Sequence, residues 1–140
     1  MKRIFAVAAI AFLSLGLVRG TQKPAPYRVV FDLTSRDTLE QRAVLRWLKE
    51  VGGSSPDAQM EVVMYGKGFE LVMPDRSPYA NEVKEAMKNP KVSFRVCAIA
   101  LKNNNVDKSQ LLPGVQTVPD GIHEIVMKQQ ENWGYIKVMH

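Results

Sequence analysis

The chain is poor in the residues that build disulfides and metal centres. It has one cysteine, Cys97, and two histidines, His123 and His140, in 140 residues. A lone cysteine forms no intrachain disulfide. A metal site takes three or four convergent ligands, and one cysteine with two scattered histidines offers no recognisable spacing, so no metal is expected. No basic run with interleaved aromatics appears, and nucleic-acid clamps and stacking platforms need one. The formal charge of +5 overstates the basicity, because Lys2, Arg3 and Arg19 lie in a segment expected to be removed, which leaves +2. That balance argues against a nucleic-acid partner. Beyond Val18 no apolar run is long enough to cross a bilayer. No Ser-His-Asp set has a spacing that supports a hydrolase. No internal repeat and no cofactor motif is present, so no cofactor is expected.

The N-terminus carries the first positive signal. Met1-Lys2-Arg3 is a short basic start, and Ile4 to Val18 is apolar apart from Ser14 and Gly16. Val18-Arg19-Gly20 then supplies a cleavage region. This is the pattern of a secretory signal peptide, with an apolar stretch short for a membrane span. The alternative is an uncleaved signal anchor. No cysteine lies near the cut, which excludes a lipoprotein anchor. The expected organisation is a signal peptide over residues 1–20, a lead-in over 21–27 with Pro24 and Pro26, and one domain over 28–140. The protein is expected in the periplasm or secreted, with no stable membrane insertion after cleavage. In that oxidising setting a lone cysteine is buried and inert, paired with another chain, or chemically used.

The domain alternates strand and helix. Arg28 to Leu33, Met60 to Tyr65, Val92 to Val96, Val115 to Val118 and Tyr135 to Met139 read as strands, being short and rich in β-branched residues. Between them lie helical patterns. Asp37 and Glu40 suit a capping box ahead of the Val44, Leu48, Val51 stripe, which Gly52-Gly53 ends. Ser77-Pro78 suits the start of a helix with Val83 and Met87 inside. Asp120 caps a helix with Ile122, Ile125 and Val126 as its buried face. Phe69 to Met73 suits a short helical turn, and Ala98 to Lys102 opens a helix that Asn103-Asn104-Asn105 breaks. Strands joined through helices pair in parallel, and right-handed crossovers place helices on both faces. The fold class is therefore α/β, with a mostly parallel sheet. The functional crevice of such a sheet lies at the carboxyl ends of its strands. Thr34 to Asp37, Gly66 to Phe69, Cys97 and Pro119-Asp120-Gly121 converge there.

Cys97 follows the third strand and opens a helix, where free N–H groups and a partial positive charge favour a thiolate. The competing reading is a buried core cysteine, the commoner fate of that residue type. Gly66-Lys67-Gly68 at a strand end suits an anion-cradling turn. It lacks the spacing and the Lys-Ser/Thr ending of a P-loop and the third glycine of a dinucleotide fingerprint, and a plain tight turn explains it better. Asp32 and Asp37 have structural roles in a strand and a cap. Trp47 and Trp133 suit the core or a subunit contact.

These segments, in this order, resemble the DsrE/DsrF-like family of sulfur-relay proteins. The resemblance rests on Arg28-Val29-Val30-Phe31-Asp32, on Glu61 through Tyr65 with Gly66-Lys67-Gly68-Phe69, and on Val92 through Val96 with Cys97-Ala98-Ile99-Ala100-Leu101. It rests too on Val118-Pro119-Asp120-Gly121-Ile122 and Trp133-Gly134-Tyr135-Ile136, which are typical of the exported branch. It implies a three-layer α/β/α sandwich around a five-stranded sheet and a homo-oligomer, a trimer or hexamer. It also implies that Cys97 carries sulfur as a persulfide and exchanges it with a donor or acceptor protein, making the chain at most a sulfur carrier or transferase acting through one cysteine. Gly66, Gly68 and Asp120 would wall the crevice around it. The reading from a different class is a non-catalytic binding or assembly module.

Overall fold

A computed structural model describes residues 24–140. The expected signal peptide and the first part of the lead-in lie outside the described residues. The domain contains β1 (Arg28–Leu33), α1 (Thr38–Ser54), β2 (Gln59–Met64), α2 (Ala80–Met87), β3 (Val92–Cys97), α3 (Ala98–Asn103), β4 (Gln116–Val118), α4 (Gly121–Gln130) and β5 (Gly134–Lys137). A 3₁₀ turn over Gly68–Val72 follows β2, and a second over Lys108–Gln110 precedes β4.

All four strand pairings are parallel, and the strand order is β4-β3-β2-β1-β5. The chain steps outward from β1 through β2 and β3 to β4. It then crosses back and lays β5 on the other side of β1. Because crossovers are right-handed, the reversal puts α4 on the opposite face from the earlier helices. The result is the expected three-layer sandwich.

Side chains alternate between the two faces. Val29, Phe31, Leu33, Met60, Val62, Met64, Phe94 and Val96 pack with Val44, Leu45 and Leu48 of α1 and Val83 of α2 in the larger core. Each large apolar side chain buried there contributes about 1.5–3 kcal/mol. The opposite core is smaller, made of Val30, Val63 and Ile125, with Tyr65 and Trp133 at its margin. Polar residues fill the rest of that face. Trp47 joins the larger core, its ring centroid 6.2 Å from that of Phe31.

Several local expectations are adjusted. Helix α1 runs through both glycines to Ser54, whose hydroxyl donates to the Glu50 carbonyl at 3.0 Å and holds the last turn. Asp37 caps its start by accepting from the Leu39 N–H at 2.7 Å, whereas Glu40 turns to His140, 3.6 Å away, instead of closing a capping box. Ser77 accepts from the Tyr79 N–H, so Ser77-Pro78 forms a turn ahead of α2 rather than its cap. In α4 only Gly121 and Ile125 are buried, while Ile122 is 59% and Val126 44% exposed. Gly121 lets the start of α4 lie close on the sheet, and that selects the 121–125 stripe over the expected one. Among the described residues no helix is long and apolar enough to cross a membrane.

Candidate functional site

Strands β3 and β4 are neighbours, but their connections leave in opposite directions, into α3 and α4. This is a topological switch point, where α/β sheets form their crevice. Cys97 ends β3 on one side of it, and Asp120 follows β4 on the other. Cys97 pairs with Val118 in register. Its backbone is still extended (φ −64°, ψ 119°), and α3 starts at the next residue. The strand therefore continues through Cys97, which shares a face with Arg95 beneath α4.

A cavity of about 280 Å³ opens here, lined by Cys97, Tyr65, Gly66, Asp120 and residues of α3 and α4. Ile99, Ala100 and Ile122 supply apolar wall, and Asn103 and Asn104 supply amides. Cys97 is a buried part of the lining, 4% exposed. Gly121 makes the close approach possible. A Cβ there would stand 3.1 Å from the Cys97 Cβ, 3.3 Å from Val63 Cγ1 and 3.5 Å from the Tyr65 Cβ. Asp120 caps α4 by accepting from the Ile122 N–H at 2.9 Å.

The glycine turn after β2 divides in two. Gly66 lines the cavity in the left-handed region, φ +58°, with the Thr34 carbonyl 2.9 Å from where a Cβ would be. Glycine is needed there for both reasons. Gly68 is not at the cavity. It is buried under β1, and a Cβ would collide with the Leu33 carbonyl oxygen, so it serves close packing. Lys67 braces the turn: its N–H donates to the Thr34 carbonyl, and its ammonium donates to Asn104 Oδ1 across the crevice.

Beside the cavity lies a cluster that sequence reasoning did not assemble. The Asp32 carboxylate, 3% exposed, accepts from the Tyr135 hydroxyl at 2.7 Å, the Tyr65 hydroxyl at 3.2 Å and the Lys137 ammonium at 3.2 Å. Lys137 also donates to Thr34 Oγ1 at 2.9 Å. The hydrogen bond to Asp32 pushes the Tyr135 hydroxyl up to about 12. Burial, then the Asp32 charge, raises Tyr65 as well. A charge-accepting hydrogen bond is worth about 1.5–3 kcal/mol, and three of them offset the cost of burying this carboxylate.

A family profile decides the affiliation: that of the DsrE/DsrF-like family matches residues 29–138. The chain belongs to that family. No curated protein matches the sequence. Among solved structures, a protein of unknown function from Methanobacterium thermoautotrophicum, MTH1491, is 31% identical with a TM-score of 0.74. That match covers 79% of this chain and 98% of the other. Two further structures share the fold at lower identity. A conserved protein of unknown function from Bacteroides thetaiotaomicron, BT1422, is 13% identical, with a TM-score of 0.65 over 79% of this chain and 94% of that one. The ychN protein of E. coli is 9% identical, with a TM-score of 0.66 over 81% of this chain and 99% of its own.

On this DsrE/DsrF-like fold the structure brings Cys97, Gly66 and Asp120 around one cavity and leaves Gly68 outside it. His123 is exposed on α4. A second buried carboxylate, Glu61, sits on the α4 face, 1% exposed. Lys128 Nζ is 3.3 Å and Arg95 Nε 2.8 Å from its Oε2, though the Arg95 N–H is not aligned for a hydrogen bond, so that contact is Coulombic. Burial holds the Glu61 carboxyl above its ordinary 4.5, against the pull of Arg95 and then Lys128. Trp133 lies beside this cluster, with the Lys128 ammonium 4.6 Å from its ring centroid.

Proposed function

We propose that this protein carries sulfane sulfur as a persulfide on Cys97. The observation that carries the reading is that Cys97 lines the cavity at the switch point of a DsrE/DsrF-like domain. The chemistry is thiol exchange. The Cys97 thiolate attacks the outer sulfur of a donor persulfide, the donor's S–S bond breaks, and the donor leaves as a thiolate that takes its proton from water. The reverse step on an acceptor thiol unloads the sulfur. No redox co-reactant enters. We place this work in the periplasm or outside the cell, after removal of residues 1–20. We further propose a trimer or hexamer. The exposed Ile122, Val126 and Met127 of α4 and Tyr135 and Ile136 of β5 support such packing.

The second reading is a binding or assembly module in which Cys97 is part of the core. Its 4% exposure favours that. The test is the intact mass of the mature protein, purified from its own compartment without reductant and with free thiols alkylated. One or more added sulfur atoms mapped to Cys97 support the carrier. A Cys97 that stays unmodified until the protein is unfolded supports the module. The same mass reports whether cleavage follows Gly20.

A further inference from the structure

We infer that Tyr65 is the specificity-determining wall of the Cys97 cavity, and that Asp32 is the positioning residue that latches it so that only small reactants reach the sulfur. This rests on the carrier reading above and deepens it by naming the class of donor: a low-molecular-weight persulfide rather than a cysteine on a folded protein surface.

Helix α4 starts against Cys97 and ends at the amino end of β5, so it crosses its face of the sheet diagonally. One helix cannot cover five strands. The carboxyl ends of β1 and β5 on that face carry Asp32 and Lys137, opposite one another in register, beside Tyr65 at the end of β2. Among the described residues Tyr65 alone belongs to both this cluster and the cavity. Its Cβ lies with the Cys97 Cβ around Gly121, while its hydroxyl reaches across to Asp32. The ring therefore lies between the sulfur and β1, with the Lys137 ammonium 5.7 Å from its centroid. A tyrosine tethered at its hydroxyl cannot swing its ring out of the way.

The volume agrees with a small reactant. The cavity, about 280 Å³, falls just below the range of roughly 300–1,000 Å³ that holds drug-sized ligands. A cysteine only 4% exposed in the wall of such a cavity is out of reach of a cysteine on a rigid partner surface unless a wall moves. Unloading meets the same limit, so the acceptor that takes sulfur from the latched cavity is a small thiol as well.

The test compares how fast Cys97 is labelled by iodoacetamide and by a bulky dye-linked iodoacetamide, each rate divided by that of the unfolded chain. The bulky-to-small ratio in the native protein is expected to be well below one. Tyr65→Phe keeps the ring and cuts the tether, and it is expected to raise that ratio about tenfold, the low end of what loss of a hydrogen bond to a charged group implies. Asp32→Asn is expected to act in the same direction. Tyr135→Phe is the control. It removes the shorter bond to the same carboxylate, yet Tyr135 does not line the cavity, so the ratio should stay put. A variant that is merely unstable adds the same increment to both normalised rates, whereas an opened latch raises the bulky rate and leaves the small one nearly alone. An unchanged ratio in Tyr65→Phe, or an equal rise in Tyr135→Phe, overturns the latch. If Cys97 resists even iodoacetamide in every folded variant, the carrier reading itself fails.

Discussion

Gly121 opens helix α4 within van der Waals contact of Cys97, so that an added methyl group would meet the Cys97 Cβ at 3.1 Å. Two opposing terms decide what Gly121→Ala does. Alanine in a helix gains about 0.5–1 kcal/mol over glycine. Overpacking against Cys97 and Val63 costs about 1–3 kcal/mol. The second term is larger, so the variant is expected to be about 1 kcal/mol less stable in urea unfolding, with slower alkylation of Cys97. Greater stability with an unchanged rate would mean that the helix start is not seated on the cysteine.

Replacing Cys97 separates the carrier from the module. Cys97→Ser and Cys97→Ala should both lose sulfur loading, read as the mass added after incubation with a persulfide donor. Serine should be the less stable of the two, because its hydroxyl is buried where a thiol was, at a cost of about 1–3 kcal/mol. Loading that persists in either variant would move the chemistry away from this residue.

The Asp32 cluster has a spectroscopic signature. Tyr135 is raised to about 12 by its hydrogen bond to Asp32, and Tyr65 is raised by burial and then by the same carboxylate. The native state thus keeps protons that the unfolded chain releases near the ordinary 10. Stability from the Tyr135 hydroxyl is complete below that value and is lost as pH rises through about 12, and the Tyr65 contribution is lost in the same direction. Titration of tyrosinate absorbance should show two groups ionising late in the native protein. In Asp32→Asn the Tyr135 step should move back toward its ordinary value. If it does not move, the hydrogen bond is not the cause.

Much of this was legible in the sequence. The alternation of short β-branched runs with helical stripes points to the parallel sheet, and Cys97 at a strand end points to the crevice. The polar face beneath α4 was not legible. Asp32, Tyr65 and Lys137 are 33 and 105 residues apart along the chain, measured from Asp32, and meet only through strand order. Placing β5 beside β1 is what makes Asp32 and Lys137 neighbours, and local pattern carries no information on that. The one available hint is the i, i+2 spacing of Tyr135 and Lys137, which puts both on one face of a strand. The exposure of Ile122 and Val126 was hidden for a related reason. Apolar spacing marks a stripe, but the close contact at Gly121 decides which stripe faces the sheet.

Glu61 gives the domain a pH dependence of definite sign. Its carboxyl is held above the ordinary 4.5 by burial, which outweighs Arg95 and Lys128. The folded state therefore binds this proton more tightly than the unfolded chain does. The resulting stability is complete below about 4.5 and is lost as pH rises through the folded value. Glu61→Gln cannot titrate, so it removes this contribution while keeping the size of the side chain. Urea unfolding of both proteins across mildly acidic to neutral pH should show the native chain gaining on the variant as pH falls. The opposite slope, with the native chain gaining as pH rises, would mean that Arg95 and Lys128 stabilise the carboxylate by more than its burial costs.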